Sequence, residues 1–187
     1  MNNLKNARCY LAGAIEKATD GGMAWREQIK DELRDLGIHW LDPTNKPTLF
    51  YSECPAMIKE LHEARATGNY GIVRAMLEPI RKIDLRMVDI CDFVIVYLDP
   101  DVPTSGTHEE VARAAFENKP IVAIIKGGLT SAPFWWFSEL NPDSFFPSIR
   151  EACNHIRQLS ERSVYSENTI ESVSDFRWIL FDWMGEK

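Results

Sequence analysis

Asp92-Phe-Val-Ile-Val-Tyr-Leu98 and, six residues on, Thr104-Ser-Gly-Thr-His-Glu-Glu110 decide the fold. After Asp92 the first run is apolar and short, the pattern of a strand buried on both faces. The second is a turn of small residues that opens a helix-like run, Glu109-Glu-Val-Ala-Arg-Ala-Ala-Phe116. Strand, turn and helix in that order form the repeating unit of an open α/β fold. The turn then lies at the carboxyl edge of the sheet, where ligands bind in such folds. The pattern predicts a helix over 108–118, capped by the Thr107 hydroxyl, with a carboxylate in its first turn. Gly106 lets the backbone come close to a ligand, and the N–H groups of the turn can hold an anion or a hydroxyl. Ser105 joins them as a candidate binding residue. An ordinary helix start with two acidic residues favoured by the helix dipole has the same local sequence.

Working outward, residues 8–14 form a short apolar strand ending near Gly13. Asp20-Gly-Gly leads into Trp25, Ile29, Leu33 and Leu36, an apolar stripe at helical spacing that Gly37 ends. Residues 38–41 are a second strand, stopped by Asp42-Pro43. From 45 to 81 no strand-like alternation occurs. Met57, Ile58, Leu61 and Ala64 predict one helix, and Gly68 and Gly71 break the chain. Val73, Met76, Leu77 and Ile80 predict another, interrupted by Pro79. A third carries Ile83, Met87 and Ile90 into the strand 93–98. A strand over 121–125 is closed by Gly127-Gly128. Further on come an aromatic loop, Pro133-Phe-Trp-Trp-Phe137, a helix over 147–160, a last strand at 163–166 and a helix over 170–184. Strands alternating with helices indicate a parallel sheet of about five strands, covered on both faces. With no repeat, linker or low-complexity segment, residues 1–187 read as a single domain.

Composition narrows the function. A net charge of −7 with no basic run argues against a nucleic-acid polymer as partner. Cys9, Cys54, Cys91 and Cys153 are scattered, as are His39, His62, His108 and His155, so neither a disulfide framework nor a metal-ligand spacing emerges. The apolar runs are too short for a membrane span, and Glu16 interrupts the first of them, which makes a poor signal peptide. The chain reads as a cytoplasmic protein.

Three regions can meet at the carboxyl edge: Tyr10 to Glu16, Asp84 before the third strand, and the 99–110 turn with Glu110. The first lacks the G-x-G-x-x-G of dinucleotide binders. Arg26, in the helix that follows, can reach a phosphate or carboxylate; a solvated Arg on a helix face is the alternative. Asp92 sits at a strand entrance and suits a bond to backbone. Asp84, two turns earlier, is a ligand residue only if tertiary structure turns it inward. His108 falls on a different side of its helix from Glu110 and reads as surface. The aromatic loop suits a base stack, a core contact or a subunit contact.

Taken together, Tyr10-Leu-Ala-Gly-Ala, Asp84-x₇-Asp92 with Phe93-Val-Ile-Val-Tyr, Ser105-Gly-Thr-x-x-Glu110 with Ala114, and Lys119-Pro-Ile-Val resemble the nucleoside 2-deoxyribosyltransferase family and related nucleotide N-glycosidases. The resemblance covers roughly two thirds of the chain, from Tyr10 to Ile125. It implies a Rossmann-like or flavodoxin-like α/β fold and an enzyme working without metal or organic cofactor. Glu110 would be the nucleophile toward C1′ of the deoxyribose, with Glu109 a non-catalytic neighbour. Tyr10 would orient it and Asp84 would protonate the departing base. A carboxylate nucleophile splits a hard displacement into two easier ones.

Two positions depart from the family pattern. Thr104 stands where the family usually has Asp, so Asp99 or Asp101 is the candidate substitute on the base side. The loop in which a neighbouring subunit's Asn can complete the site reads Ala132-Pro-Phe-Trp-Trp. These departures leave room for an N-glycosidase of a deoxynucleoside or nucleoside 5′-monophosphate, its phosphate held by Arg26, Ser105 or the Gly21-Gly22 turn. Phosphoribohydrolases with P-G-G-x-G-T-x-x-E match Pro103 to Glu109 only in part. A non-catalytic nucleotide sensor and a structural interaction protein remain as readings of another class. The expected partners are a deoxynucleoside or deoxynucleotide, a nucleobase and further copies of the chain, as a homo-oligomer.

Overall fold

The computed structural model describes residues 2–46 and 55–161. Five strands, β1 (Arg8–Gly13), β2 (His39–Leu41), β3 (Phe93–Leu98), β4 (Ile121–Ile125) and β5 (Phe145–Phe146), lie in the order β2-β1-β3-β4-β5. Every pairing is parallel. This is the flavodoxin-like order, in which the chain winds one way to β2 and the other way from β3 onward. The crevice at that reversal, outside the carboxyl ends of β1 and β3, is the usual ligand site of such sheets.

Alternation along β1 assigns its side chains to two cores. Cys9 and Leu11 pack with Trp25 and Ile29 of α1 (Met23–Glu32), with Leu33 just after it, and with Ile156 and Leu159 of α5 (Ile149–Glu161). Tyr10 and Ala12 pack on the opposite face with Met87 and Val88 of α3 (Tyr70–Ile90) and Val111 and Ala114 of α4 (Ser105–Phe116). A period of two thus delivers Tyr10 to the face that carries α3 and α4. Outside those layers, α2 (Pro55–Ala66) packs against α3, and Ala64 is its one buried residue among those described.

Polar ties fix the ends of elements. Asp92 Oδ2 accepts from the backbone N–H of Arg8 at 2.7 Å, joining the starts of β1 and β3, the backbone role expected of a strand-entrance Asp. Lys119 Nζ, just before β4, donates to the carbonyls of Val88 at 2.5 Å and Cys91 at 3.1 Å, and to that of Asp89. A cation placed on the last carbonyls of α3 satisfies groups the helix itself leaves open.

Several boundaries differ from the sequence reading. The segments expected as two helices on either side of Pro79 are the single helix α3. Proline removes only one hydrogen bond and kinks the helix, and burial of Ile80, Met87 and Val88 carries the helix past it. Helix α4 begins at Ser105, three residues earlier than expected. Thr104, in extended backbone, holds the cap position, so Thr107 is buried inside the first turn and both glutamates stand beyond it. Thr104 and Thr107 instead share a hydroxyl–hydroxyl bond of 2.6 Å. The fifth strand lies at 145–146; the expected strand at 163–166 and helix at 170–184 lie outside the described residues, as does Cys54.

Candidate active site

A cleft of about 530 Å³ opens at the carboxyl edge between the loop after β1, the middle of α3 and the start of α4. This size suits a small-molecule ligand. Its walls include Gly13, Ile80, Asp84, Pro103, Ser105 and Glu110.

Glu110 and Tyr10 meet there. The Tyr10 hydroxyl donates to Glu110 Oε1 at 2.8 Å. Tyr10 is fully buried, rooted in the middle of the sheet, while Glu110 is half-buried and borders the cleft. A carboxylate held by a rigid donor has one oxygen oriented for it, which favours a defined line of attack. Glu109, one position earlier, points elsewhere around the helix. Its carboxylate forms a two-pronged ion pair with Arg81 of α3, through Arg81 Nε at 2.8 Å and through Nη2. Consecutive helical residues face about 100° apart, so two adjacent glutamates serve two purposes.

Asp84 reaches the cleft from α3 and is buried, so it is not a solvated helix residue. Burial pushes its carboxyl above the usual carboxylate range, and the nearby charges of Lys46 and Arg26 offset this only in part. Lys46 Nζ lies 2.7 Å from Asp84 Oδ1. A carboxyl held toward its neutral form beside a cleft is suited to donate a proton.

Gly13 closes β1 with no room for a side chain. A Cβ there comes 2.6 Å from Trp25 Cζ2 and 3.0 Å from the Tyr97 carbonyl oxygen. Gly106 is the opposite case, since a Cβ there meets nothing within 4 Å. No internal packing demands that glycine, and it leaves the cleft wall at the start of α4 open to close approach. Ser105 and Thr107 border the cleft beside it.

Three expected binding residues lie elsewhere. Arg26 has an exposure of 0%. Its Nη1 donates to the Gly22 carbonyl at 2.6 Å and its Nη2 to those of Gly13 at 3.0 Å and Leu11 at 3.3 Å, while Nε faces Asp42 Oδ1 at 3.6 Å. A guanidinium so engaged faces the backbone and not the cleft, which corrects its assignment to a phosphate. The helical spacing carried the clue, because Arg26 precedes Ile29 by three and Leu33 by seven and so shares the apolar stripe. Asp99 pairs with Lys126 at 2.7 Å and accepts from the Asp101 backbone at 3.1 Å; the Lys126 bond holds it below the usual carboxylate range. Neither Asp99 nor the exposed Asp101 borders the cleft, so neither replaces an acid at Thr104, which does border it. His108 is exposed and meets Trp136 edge-on, with ring centroids 5.5 Å apart.

The sequence reading missed Lys46 and the cations at the mouth, Lys17, Arg65 and Arg81. No periodicity marks Lys46, which follows a turn and is buried only by the tertiary fold. Among the described residues no group of three His, Cys, Asp or Glu side chains is placed to hold a metal ion. No described helix is long and apolar enough to cross a membrane.

No family model and no curated protein matches the chain. Solved structures do. The 2-deoxyribosyltransferase of Bacillus psychrosaccharolyticus superimposes with a TM-score of 0.51 at 18% identity, over 79% of this chain and 91% of that one. A 2-deoxyribosyltransferase from Leishmania mexicana gives 0.49 at 17% identity, over 81% and 97% of the two chains. A CMP N-glycosidase of Clostridium botulinum gives 0.48 at 15% identity, over 81% and 98%. The likeness is one of fold: this chain has the five-stranded parallel α/β fold of the Bacillus enzyme.

Proposed function

We propose that the chain is a nucleoside 2-deoxyribosyltransferase, moving 2-deoxyribose from one nucleobase to another through a sugar ester on Glu110. The observation that carries this reading is the 2.8 Å bond from Tyr10 to Glu110 in a cleft that Asp84 also borders. Glu110 attacks C1′, Asp84 gives its proton to the departing base, and the C1′–N electron pair leaves with that base. An incoming base then gives its ring N–H proton back to Asp84 and attacks C1′ from the face opposite Glu110, which departs as a carboxylate, so the two displacements retain configuration. Binding alone has no use for an oriented carboxylate, which sets the enzyme reading above a nucleotide sensor on the same scaffold. The chemistry runs on side chains, without metal or organic cofactor, in a cytoplasmic homo-oligomer.

A second reading, an N-glycosidase of a nucleoside 5′-monophosphate, is favoured by Lys17, Arg65 and Arg81 at the cleft mouth and by Thr104 in place of an acid. There water takes the role of the second base. Incubation of the purified protein with deoxynucleosides or their monophosphates, with and without a second free base, separates the readings. A new nucleoside establishes transfer, free base plus sugar or sugar phosphate establishes hydrolysis, and tight binding without product establishes a sensor.

A further inference from the structure

Lys46 stands in the loop after β2 with its side chain shielded from solvent, and its ammonium lies 2.7 Å from Asp84 Oδ1. That oxygen is itself sealed from solvent. Asp84 borders the cleft whereas Lys46 does not. The lysine therefore stands behind the aspartate, on the side away from any ligand. A buried cation on one carboxyl oxygen reserves the other for the cleft.

We propose that Lys46 is a positioning residue for Asp84: its ammonium, in contact with Oδ1, turns one carboxyl oxygen inward and stabilises the carboxylate left when Asp84 gives up its proton. This rests on the N-glycosidic reading above. Before the step Glu110 carries the negative charge and Asp84 its proton. As the reaction proceeds, the Asp84 O–H bond breaks, the proton passes to a ring nitrogen of the base, and the C1′–N pair stays with the base. Glu110 oxygen bonds to C1′ and becomes a neutral ester. One negative charge has thus moved across the cleft from Glu110 to Asp84, toward the fixed ammonium. An interaction that strengthens as charge develops lowers the barrier, whereas one equal in both states does not.

The other charges around Asp84 do not supply the same effect. Arg26 on α1 acts at longer range and is engaged by Asp42, which also binds Lys30 of α1 at 2.5 Å. Across the cleft stand Glu110 of α4 and Tyr10 of β1, bonded to each other. Glu16 and Lys17 of the loop after β1 and Arg65 of α2 lie at the mouth, with Glu16 and Arg65 paired at 3.5 Å. Arg81, one turn from Asp84 on α3, is taken by Glu109. Lys46 is the cation in direct contact with Asp84 among the described residues.

The test compares Lys46→Met and Lys46→Gln with Lys46→Arg. Two readouts are used: turnover against pH, and carboxyl titration in the free protein by NMR with ¹³C-labelled aspartate, the Asp84 signal identified by its loss in Asp84→Asn. In the two neutral variants the Asp84 titration moves up by about one pH unit or more. The alkaline fall in activity moves with it, kcat drops roughly 10-fold or more, and KM stays near the parent value. Lys46→Arg keeps the parent titration. A folded neutral variant with an unmoved Asp84 titration overturns the proposal. If neither neutral variant folds, the parent and Asp84→Asn decide. A Lys46 ammonium signal protected from exchange in the parent and lost in Asp84→Asn supports the pair, and one exchanging at solvent rate in the parent overturns it. A parent that turns over no nucleoside overturns the reaction, not the pair, because the titration needs no substrate.

Discussion

The Tyr10 hydroxyl and Glu110 Oε1 are 2.8 Å apart although one hundred positions separate them in the chain. The parallel pairing of β1 with β3 and the packing of α4 on β1 make that meeting.

Replacement of Glu110 by Gln keeps the volume and hydrogen-bonding shape but removes the nucleophile. Turnover is expected to fall on the order of 10³-fold or more, about 4 kcal/mol of transition-state stabilisation. Glu109→Ala, which breaks an exposed ion pair with Arg81, leaves kcat within a few-fold of the parent. Steady-state kinetics on both variants check this; inactivity in Glu109→Ala with activity retained in Glu110→Gln reverses the two assignments.

Tyr10→Phe removes one hydroxyl from a buried ring. Substrate affinity is expected to hold while kcat falls roughly 10- to 100-fold, because the loss is one of alignment. A kcat equal to the parent's reduces Tyr10 to a packing residue.

Asp84→Asn retains the shape of the side chain but not its transferable proton. Bases that leave poorly without protonation should suffer most. Rates across a series of bases test it, and a uniform ratio to the parent removes Asp84 from the proton path.

The charge cluster behind the cleft is expected to contribute to acid stability. Burial alone raises the Asp42 carboxyl, but bonds from Lys30 at 2.5 Å and from Thr44 Oγ1 at 2.7 Å, with the charge of Arg26, hold it below its usual range. The sign follows. A carboxyl depressed in the folded state adds stability above its unfolded pKa, about 3.9, and that stability is lost as pH falls through the lower folded value. Asp42→Asn leaves Arg26 without its buried counter-charge and is expected to cost about 3–5 kcal/mol at neutral pH. Its urea midpoint should also depend less on pH below about 4. Chemical unfolding against pH measures both, and parallel curves for variant and parent exclude Asp42 as the group responsible.

The aromatic loop divides into inward and outward members. Trp136 is 2% exposed and joins the core under α4, whereas Phe134 and Trp135 are 92% and 81% exposed. Trp136→Ala should destabilise the fold by about 3–5 kcal/mol. Phe134→Ala with Trp135→Ala should leave the fold stable and lower the apparent mass in light scattering, if these rings form the subunit contact. A parent that is monomeric at low micromolar concentration rules that contact out.

The residues most legible in the sequence were those whose role is local. Strands β3 and β4 over their whole length, and β1 from Cys9 onward, are apolar because helices cover both sides, and the turn before Glu110 is built of small residues where the backbone borders the cleft. The start of α4 differs from the expectation because any of several Ser and Thr residues can cap a helix, and only Pro103 and the extended Thr104 decide among them. Pro79 pointed to a break because a proline costs one bond locally, whereas the burial that outweighs it comes from distant strands. Strand β5 has two residues and no pattern to read. Lys46 and Arg26 show the same limit from opposite sides: one cation looks ordinary and is buried on Asp84, while the other looks like a ligand grip and serves the backbone.

Arg26 also has a mechanical consequence. By gathering the carbonyls of Leu11, Gly13 and Gly22, it turns the β1–α1 side of the cleft into a fixed jaw. The facing jaw, made by α2 and the outer turns of α3, buries few of its described residues and has Leu77 and Arg81 at its lip. Accommodation of ligands of different size would therefore fall to that second jaw. Changes at Leu77 therefore reshape the cleft at its lip, whereas changes at Arg26 loosen its rigid side.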